Sequence, residues 1–137
     1  MGNRAVITNS ERKFGVYLHW NGGVESVLAF CHAAKQLGYR DLVNDSTYGF
    51  ARLTGLICTF NDIKFATGVG IGPLDDLDTD NGDNGTFVID GNWDVVDRYG
   101  SGSDLNWNLV HLTDAERKKY EAVKQRCLDL ANGEVTA

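Results

Sequence analysis

The sequence predicts an α+β domain in which a small antiparallel sheet of about five strands is packed by three helices. Short runs of β-branched and aromatic residues are bounded by turn residues, as strands are, and in three other stretches apolar residues recur at three- and four-residue spacing, as on helices. The two kinds of run are grouped as hairpin, two helices, three strands and a helix, whereas a doubly wound parallel fold would alternate them. With 137 residues and 42% hydrophobic content, one domain spanning residues 1–137 around one core is expected.

Arg4 to Thr8 and Phe14 to Trp20 read as strands, and the polar stretch Asn9 to Lys13 reads as the hairpin loop between them. Val24, Val27, Leu28, Cys31, Ala34 and Leu37 then place one apolar stripe on a helix that Gly38 ends with a left-handed cap. A second helix is expected from Asp45-Ser46-Thr47, whose side chains can accept the free amides of a first turn, with Phe50, Leu53, Ile57 and Phe60 on one face. Ile63 to Ile71 reads as a strand bent by its glycines, and Pro73 to Gly85 as loop. Phe87 to Val96 reads as a hairpin around a two-residue Gly91-Asn92 turn. Tyr99 to Asn108 is a connection, and Thr113 with Glu116 forms a capping box for a last helix carrying Tyr120, Val123, Cys127 and Leu130 and stopping at Asn132-Gly133.

The formal net charge of −6 disfavours direct binding to nucleic acid or to anionic membranes, both of which call for clustered Lys and Arg. It suits plain solubility or docking onto a basic surface of another protein. Cys31, Cys58 and Cys127 are odd in number and widely spaced, so they read as core thiols without a disulfide framework or a zinc ribbon. No apolar stretch reaches the length of a membrane span or signal peptide, and a cytoplasmic location is expected. Homodimerisation through a helical face or a sheet edge fits the common preference for symmetric pairs.

Two constellations could bind a partner or ligand. His19-Trp20-Asn21-Gly22-Gly23 joins a strand end to a helix start, where free amides and the helix dipole attract anions; the same glycines could equally serve only to reverse the chain. Arg52, three residues after the glycine of the aromatic-glycine pair Tyr48-Gly49, could complete one anion pocket with that turn or simply pair with a neighbouring Asp. The second constellation is Asp75, Asp76, Asp78, Asp80 and Asp83, a face suited to a basic partner. It resembles a calcium loop but departs from it, because the sixth and twelfth positions are Asn81 and Phe87 counted from Asp76, or Asp83 and Ile89 counted from Asp78. No metal site or cofactor is expected, nor a catalytic set, since His19, His32 and His111 are far apart and His32 reads as a boundary residue on its helix.

Met1 to Ile7, Tyr17-Leu18-His19-Trp20-Asn21-Gly22-Gly23, Tyr48 to Leu53 and Asp83-Asn84-Gly85 together resemble a group of small accessory proteins of bacteriophages and prophages. The resemblance reaches to about Trp93. It implies a phage-encoded inhibitor of host defence that acts by binding, anti-CRISPR-like, with a host immune effector as partner and the host bacterial cytoplasm as location. A nucleotide-signal sponge built on Trp20 to Gly23 and Arg52 is the alternative, and a nucleotide-processing enzyme the third reading. That third reading requires a cavity joining a histidine to a carboxylate.

Overall fold

The computed structural model describes residues 2–61, 68–100 and 107–133. β1 (Ala5–Asn9) and β2 (Phe14–Leu18) form the hairpin that the alternating sequence indicates, with Ala5 opposite Leu18 and Thr8 opposite Gly15. β3 (Val69–Pro73) adds antiparallel to β2, while β4 (Thr86–Ile89) and β5 (Val95–Tyr99) make a second hairpin. Of the strand expected over Ile63–Ile71 the structure shows Val69 onward and its continuation to Pro73; positions 63–67 lie outside the described residues, as do 101–106 of the connection expected before the last helix.

Among the described residues five strands and three helices make the fold α+β, as the sequence indicates, but the sheet is mixed rather than wholly antiparallel. Its order is β3-β2-β1-β4-β5, and β1 lies parallel to β4 with Ile7 beside Phe87. β3 and β4 consequently run in the same direction. The chain must return from the end of one to the start of the other, which takes a crossover of about a dozen residues. Here the Asp-rich run supplies that crossover where a helix is the usual choice.

The β4–β5 turn also differs from expectation. Gly91 and Asn92 are the central residues of the turn, as expected, with the Asp90 carbonyl accepting the Trp93 amide at 3.2 Å, but the loop is one residue longer: the Asp90 amide donates to the Asp94 carbonyl at 2.9 Å, and Asp90 Oδ1 accepts the amides of Asn92 and Asp94 at 2.9 and 3.0 Å. The left-handed position is Trp93, at φ 64°. The Asp90 carboxylate shapes the turn, and Trp93 is held there by burial and by an indole N–H bond to the Tyr39 carbonyl at 3.2 Å.

α1 (Val24–Gln36) buries more than the expected stripe, because the sheet, α2 (Ser46–Phe60) and α3 (Asp114–Ala131) all pack on it. Ser26, Ala29, Phe30 and Ala33 are buried as well, and the small residues among them let neighbouring backbones come close. Gly38 takes φ 75° just after α1, the left-handed cap that the sequence suggests. α2 lacks the expected side-chain cap: Asp45 accepts instead from Arg40 Nη1 at 2.7 Å. α3 has its capping box, with Thr113 Oγ1 accepting from the Glu116 amide at 3.1 Å and Glu116 Oε1 accepting from the Thr113 amide at 2.9 Å.

The helices cover one face of the sheet, where Ile7, Val16, Leu18, Phe87 and Ile89 meet Val27, Phe30, Leu53 and Ile57. Cys31 and Cys127 sit in this layer, and burial pushes both thiols up to about 12, far from reactivity at neutral pH. Among the described residues no helix is long and apolar enough to cross a membrane.

Candidate functional site

The opposite face of the sheet carries Val6, Thr8, Gly15, Tyr17 and Val88, which alternate with the core residues along β1, β2 and β4. The crossover from Leu74 to Gly85 lies over it. A Cβ on Gly15 would come within 3.1 Å of Leu77 Cδ1 and 3.4 Å of Leu74 Cδ1, so glycine there leaves room for two leucines to press on the sheet. A 3-10 turn at Leu74–Asp76 sets the phase: Leu74 is buried and Leu77 half-buried, while Asp75, Asp76, Asp78 and Asp80 are exposed.

Asn81 organises the rest of the loop. Its side chain is 2% exposed, Oδ1 accepts the amides of Asp83, Asn84 and Gly85 at 3.1 Å each, and Nδ2 donates to the carbonyls of Asp78 and Gly85 at 3.1 and 3.0 Å. Asp83 faces inward, unlike the other four aspartates. Its Oδ2 accepts from the Arg4 amide and Nε at 3.0 and 2.9 Å, and the Arg4 hydrogen bonds hold its carboxyl below the usual range. Asp83 is thus a clasp between loop and β1, and the outward acidic face is made by Asp75, Asp76, Asp78 and Asp80. Among the described residues no group of three or more His, Cys, Asp or Glu is arranged to hold a metal ion.

The His19–Gly23 turn has a largely architectural explanation. Asn21 takes φ 58° and donates from Nδ2 to Asn61 Oδ1 at 2.7 Å, tying the turn to the end of α2. Gly22 donates its amide to the Asn3 carbonyl at 2.8 Å, and a Cβ there would collide with that carbonyl and with Ala5. Beside the Gly23 N-cap sits the chain's own Glu25 carboxylate, 8% exposed and 3.2 Å from Lys119 Nζ. An internal anion therefore stands by the positive end of α1, where an external one would bind. His19 Nδ1 lies 3.0 Å from the Tyr17 hydroxyl, and Trp20, 43% exposed, packs edge-on to His19.

Arg52 does not join this turn. It lines a cleft of about 480 Å³ with Gly38, Tyr39, Arg40 and Tyr48, beyond the C-terminal end of α1, while Gly23 caps the other end roughly 20 Å away. Arg40 stacks over the Tyr48 ring at 5.6 Å. The single anion pocket expected from Arg52 and the turn is therefore not assembled.

Two further cavities bring together residues that the sequence left apart. The β-bulge between Val88 and Ile89 shifts the register of β5, so Arg98 falls beside Phe87 on the helix-facing side, its guanidinium 4.5 Å from the ring centre and its Nε donating to the Asn84 carbonyl at 3.0 Å. It shares a polar cleft of about 370 Å³ with Glu25, Glu116 and His111. Burial lowers the Arg98 pKa, and the charges of Glu25 and Glu116 act against that shift. A second cavity, of about 340 Å³, holds His32 and Asp94. His32 Nδ1 lies 2.6 Å from the Tyr120 hydroxyl, and burial holds this histidine below its usual pKa. It is thus a half-buried link between α1 and α3.

Glu25, Asn81 and Arg98 were not singled out by sequence reasoning. Asn81 follows a run of aspartates that looked alike, and Arg98 needed the bulge. Glu25 did carry a signal, being an acid in the first turn of a helix. Fold and loop together define an α+β domain with an acidic, internally braced crossover. No family model matches the chain, and neither a curated protein nor a solved structure matches it.

Proposed function

We propose that this protein works by binding, using the exposed carboxylates of its crossover against a basic surface of a partner protein, and that the partner is an effector of bacterial defence inhibited by a phage-encoded protein. The observation that carries the first part is the division of labour in the loop. Leu74, Leu77, Asn81 and Asp83 fix its shape, leaving Asp75, Asp76, Asp78 and Asp80 to face outward. Ordering a loop on binding costs about 1–2 kcal/mol of backbone entropy per residue, and a braced loop avoids much of that cost. Fixed negative charge also speeds and orients encounter with a basic groove. The phage and effector parts rest on the sequence resemblance.

The experiment is inhibition of purified defence effector complexes by the chain and by a variant with Asp75, Asp76, Asp78 and Asp80 all changed to Asn. Inhibition by the parent, weakening with added salt and lost in the variant, is expected. A parent chain that leaves every effector active, or a variant that inhibits equally well, refutes the reading.

A second reading has its own observation. Two arginines and two tyrosines line the cleft of Arg40, Arg52, Tyr39 and Tyr48, chemistry that suits a phosphorylated aromatic ligand such as a nucleotide signal. Thermal stabilisation by a cyclic nucleotide, absent in Arg52→Ala, would favour a sponge over an effector inhibitor.

A further inference from the structure

The two edges of the sheet are built differently. β5 is blunted: a bulge interrupts its pairing, and its Asp97 is bonded to Arg12 at 2.6 Å. β3, the other edge among the described residues, reads Val69-Gly70-Ile71-Gly72-Pro73 with no charge. The phase of its ladder follows from two bonds to β2, the Leu74 amide to the Lys13 carbonyl at 2.9 Å and the His19 amide to the Gly68 carbonyl at 2.7 Å. Gly70 and Gly72 therefore bond inward to β2. Val69 and Ile71 turn both amide and carbonyl to the outer edge, and Pro73 turns only a carbonyl there.

Beside that edge lies an apolar groove of about 460 Å³ between Ile71 and the start of α2, walled by Phe14, Phe50 and Ala51. Ile71 is 57% exposed. Immediately after Pro73 come the exposed carboxylates of Asp75 and Asp76. A backbone edge beside a side-chain groove is the equipment of strand addition, in which main-chain bonds give affinity and every second side chain is read by a pocket. An acidic flank at one end selects positive charge at that end of the incoming strand.

We propose that the outer edge of β3 takes an extended segment of the partner as an added antiparallel strand, with an apolar side chain in the Ile71–Phe50 groove and Lys or Arg residues beside Asp75 and Asp76. The basic flank rests on the partner reading above; the strand addition does not. In antiparallel pairing the N-terminal end of the segment lies next to Asp75.

The test uses synthetic peptides and the full chain. The probe is a nonapeptide with three lysines at its N-terminal end followed by alternating threonine with valine or phenylalanine. Binding should slow hydrogen exchange at the Val69 and Ile71 amides. N-methylation of the peptide amides that face β3 should weaken binding at least about tenfold, equivalent to ~1.4 kcal/mol. Ile71→Pro, which removes an outward amide, should do the same; because it also alters the groove, the N-methylated peptide on the unchanged chain is the deciding measurement. Replacing the lysines by serines should weaken binding by about fivefold, the scale of exposed ion pairs. If the serine peptide binds as well as the lysine one while exchange still slows, strand addition stands and the basic flank falls. No binding, equal binding of the N-methylated peptide, or unchanged exchange at Val69 and Ile71 overturns strand addition, leaving the acidic-loop reading to its own test. Slowing of those amides with protein concentration and no peptide would make a second copy the occupant and overturn the assignment to a partner.

Discussion

The two faces of the sheet are covered by different means. On one, helices bury aliphatic and aromatic side chains in depth; on the other, an acidic crossover contributes two leucines and is held largely by polar contacts, among them the hydrogen bonds to Asn81, the Arg4–Asp83 clasp and the bonds of Asn84 to Asn3 and Arg4. Apolar burial grows with area and tolerates imperfect geometry, whereas a polar brace depends on every bond being made. The helical face accordingly sets global stability, and the loop face sets the shape of one surface.

Substitutions can break this contrast in order of expected effect. Phe87→Ala, at a fully buried site on the helical face, should cost about 3–5 kcal/mol, read as a fall in the denaturant midpoint. Asn81→Ala should cost about 2 kcal/mol, because it strands buried loop amides and carbonyls, and its signature should be faster hydrogen exchange at Asp83, Asn84 and Gly85. Equal slowing or quickening of exchange throughout the sheet would mean that the loop is not a separately braced layer.

Acid should affect the faces in different windows. His32 is depressed below 6.5 by burial, so the folded state prefers it neutral; its contribution is complete above about pH 6.5 and is lost as pH falls through the lower folded-state value. His32→Gln should flatten the melting temperature over that range. Asp83 is depressed below 3.8 by Arg4, so its contribution is present above about pH 4 and is lost only in stronger acid. Asp83→Asn should remove that later acid loss and leave the His32 window unchanged. The smallest effect on stability, within about 0.5 kcal/mol per substitution, is expected for the fourfold Asp75, Asp76, Asp78 and Asp80 to Asn variant, the one that should abolish partner binding.

Local signals carried much of the architecture. The first hairpin, the caps at Gly38 and Thr113 and the apolar face through Tyr120, Val123 and Cys127 were legible because each depends on residues within a few positions of one another. The Gly91-Asn92 turn was placed correctly but its type was not, because the left-handed position falls on Trp93, which lengthens the loop to three residues while the Asp90 carboxylate braces it. Leu130 was expected on the buried face of α3, yet Leu128 is the residue buried there, since the orientation of the last turn is decided by what it packs against.

The candidate site was legible in composition and not in arrangement. Five aspartates stood together in sequence, but whether each pointed outward depended on Leu74 and Leu77 finding the gap over Gly15 and on Arg4 reaching Asp83. Arg52 and the His19–Gly23 turn looked able to meet, and α1 holds them at opposite ends. The sequence by itself determined the strands, the helices and the surplus of negative charge, because propensity, periodicity and charge are properties of neighbouring residues. Only the tertiary structure decided that β1 and β4 lie parallel, that the acidic run becomes the second layer of the sheet, and that β3 is left as an uncharged edge. Those outcomes follow from the chain having to return across the sheet, and they depend on contacts between residues distant in sequence.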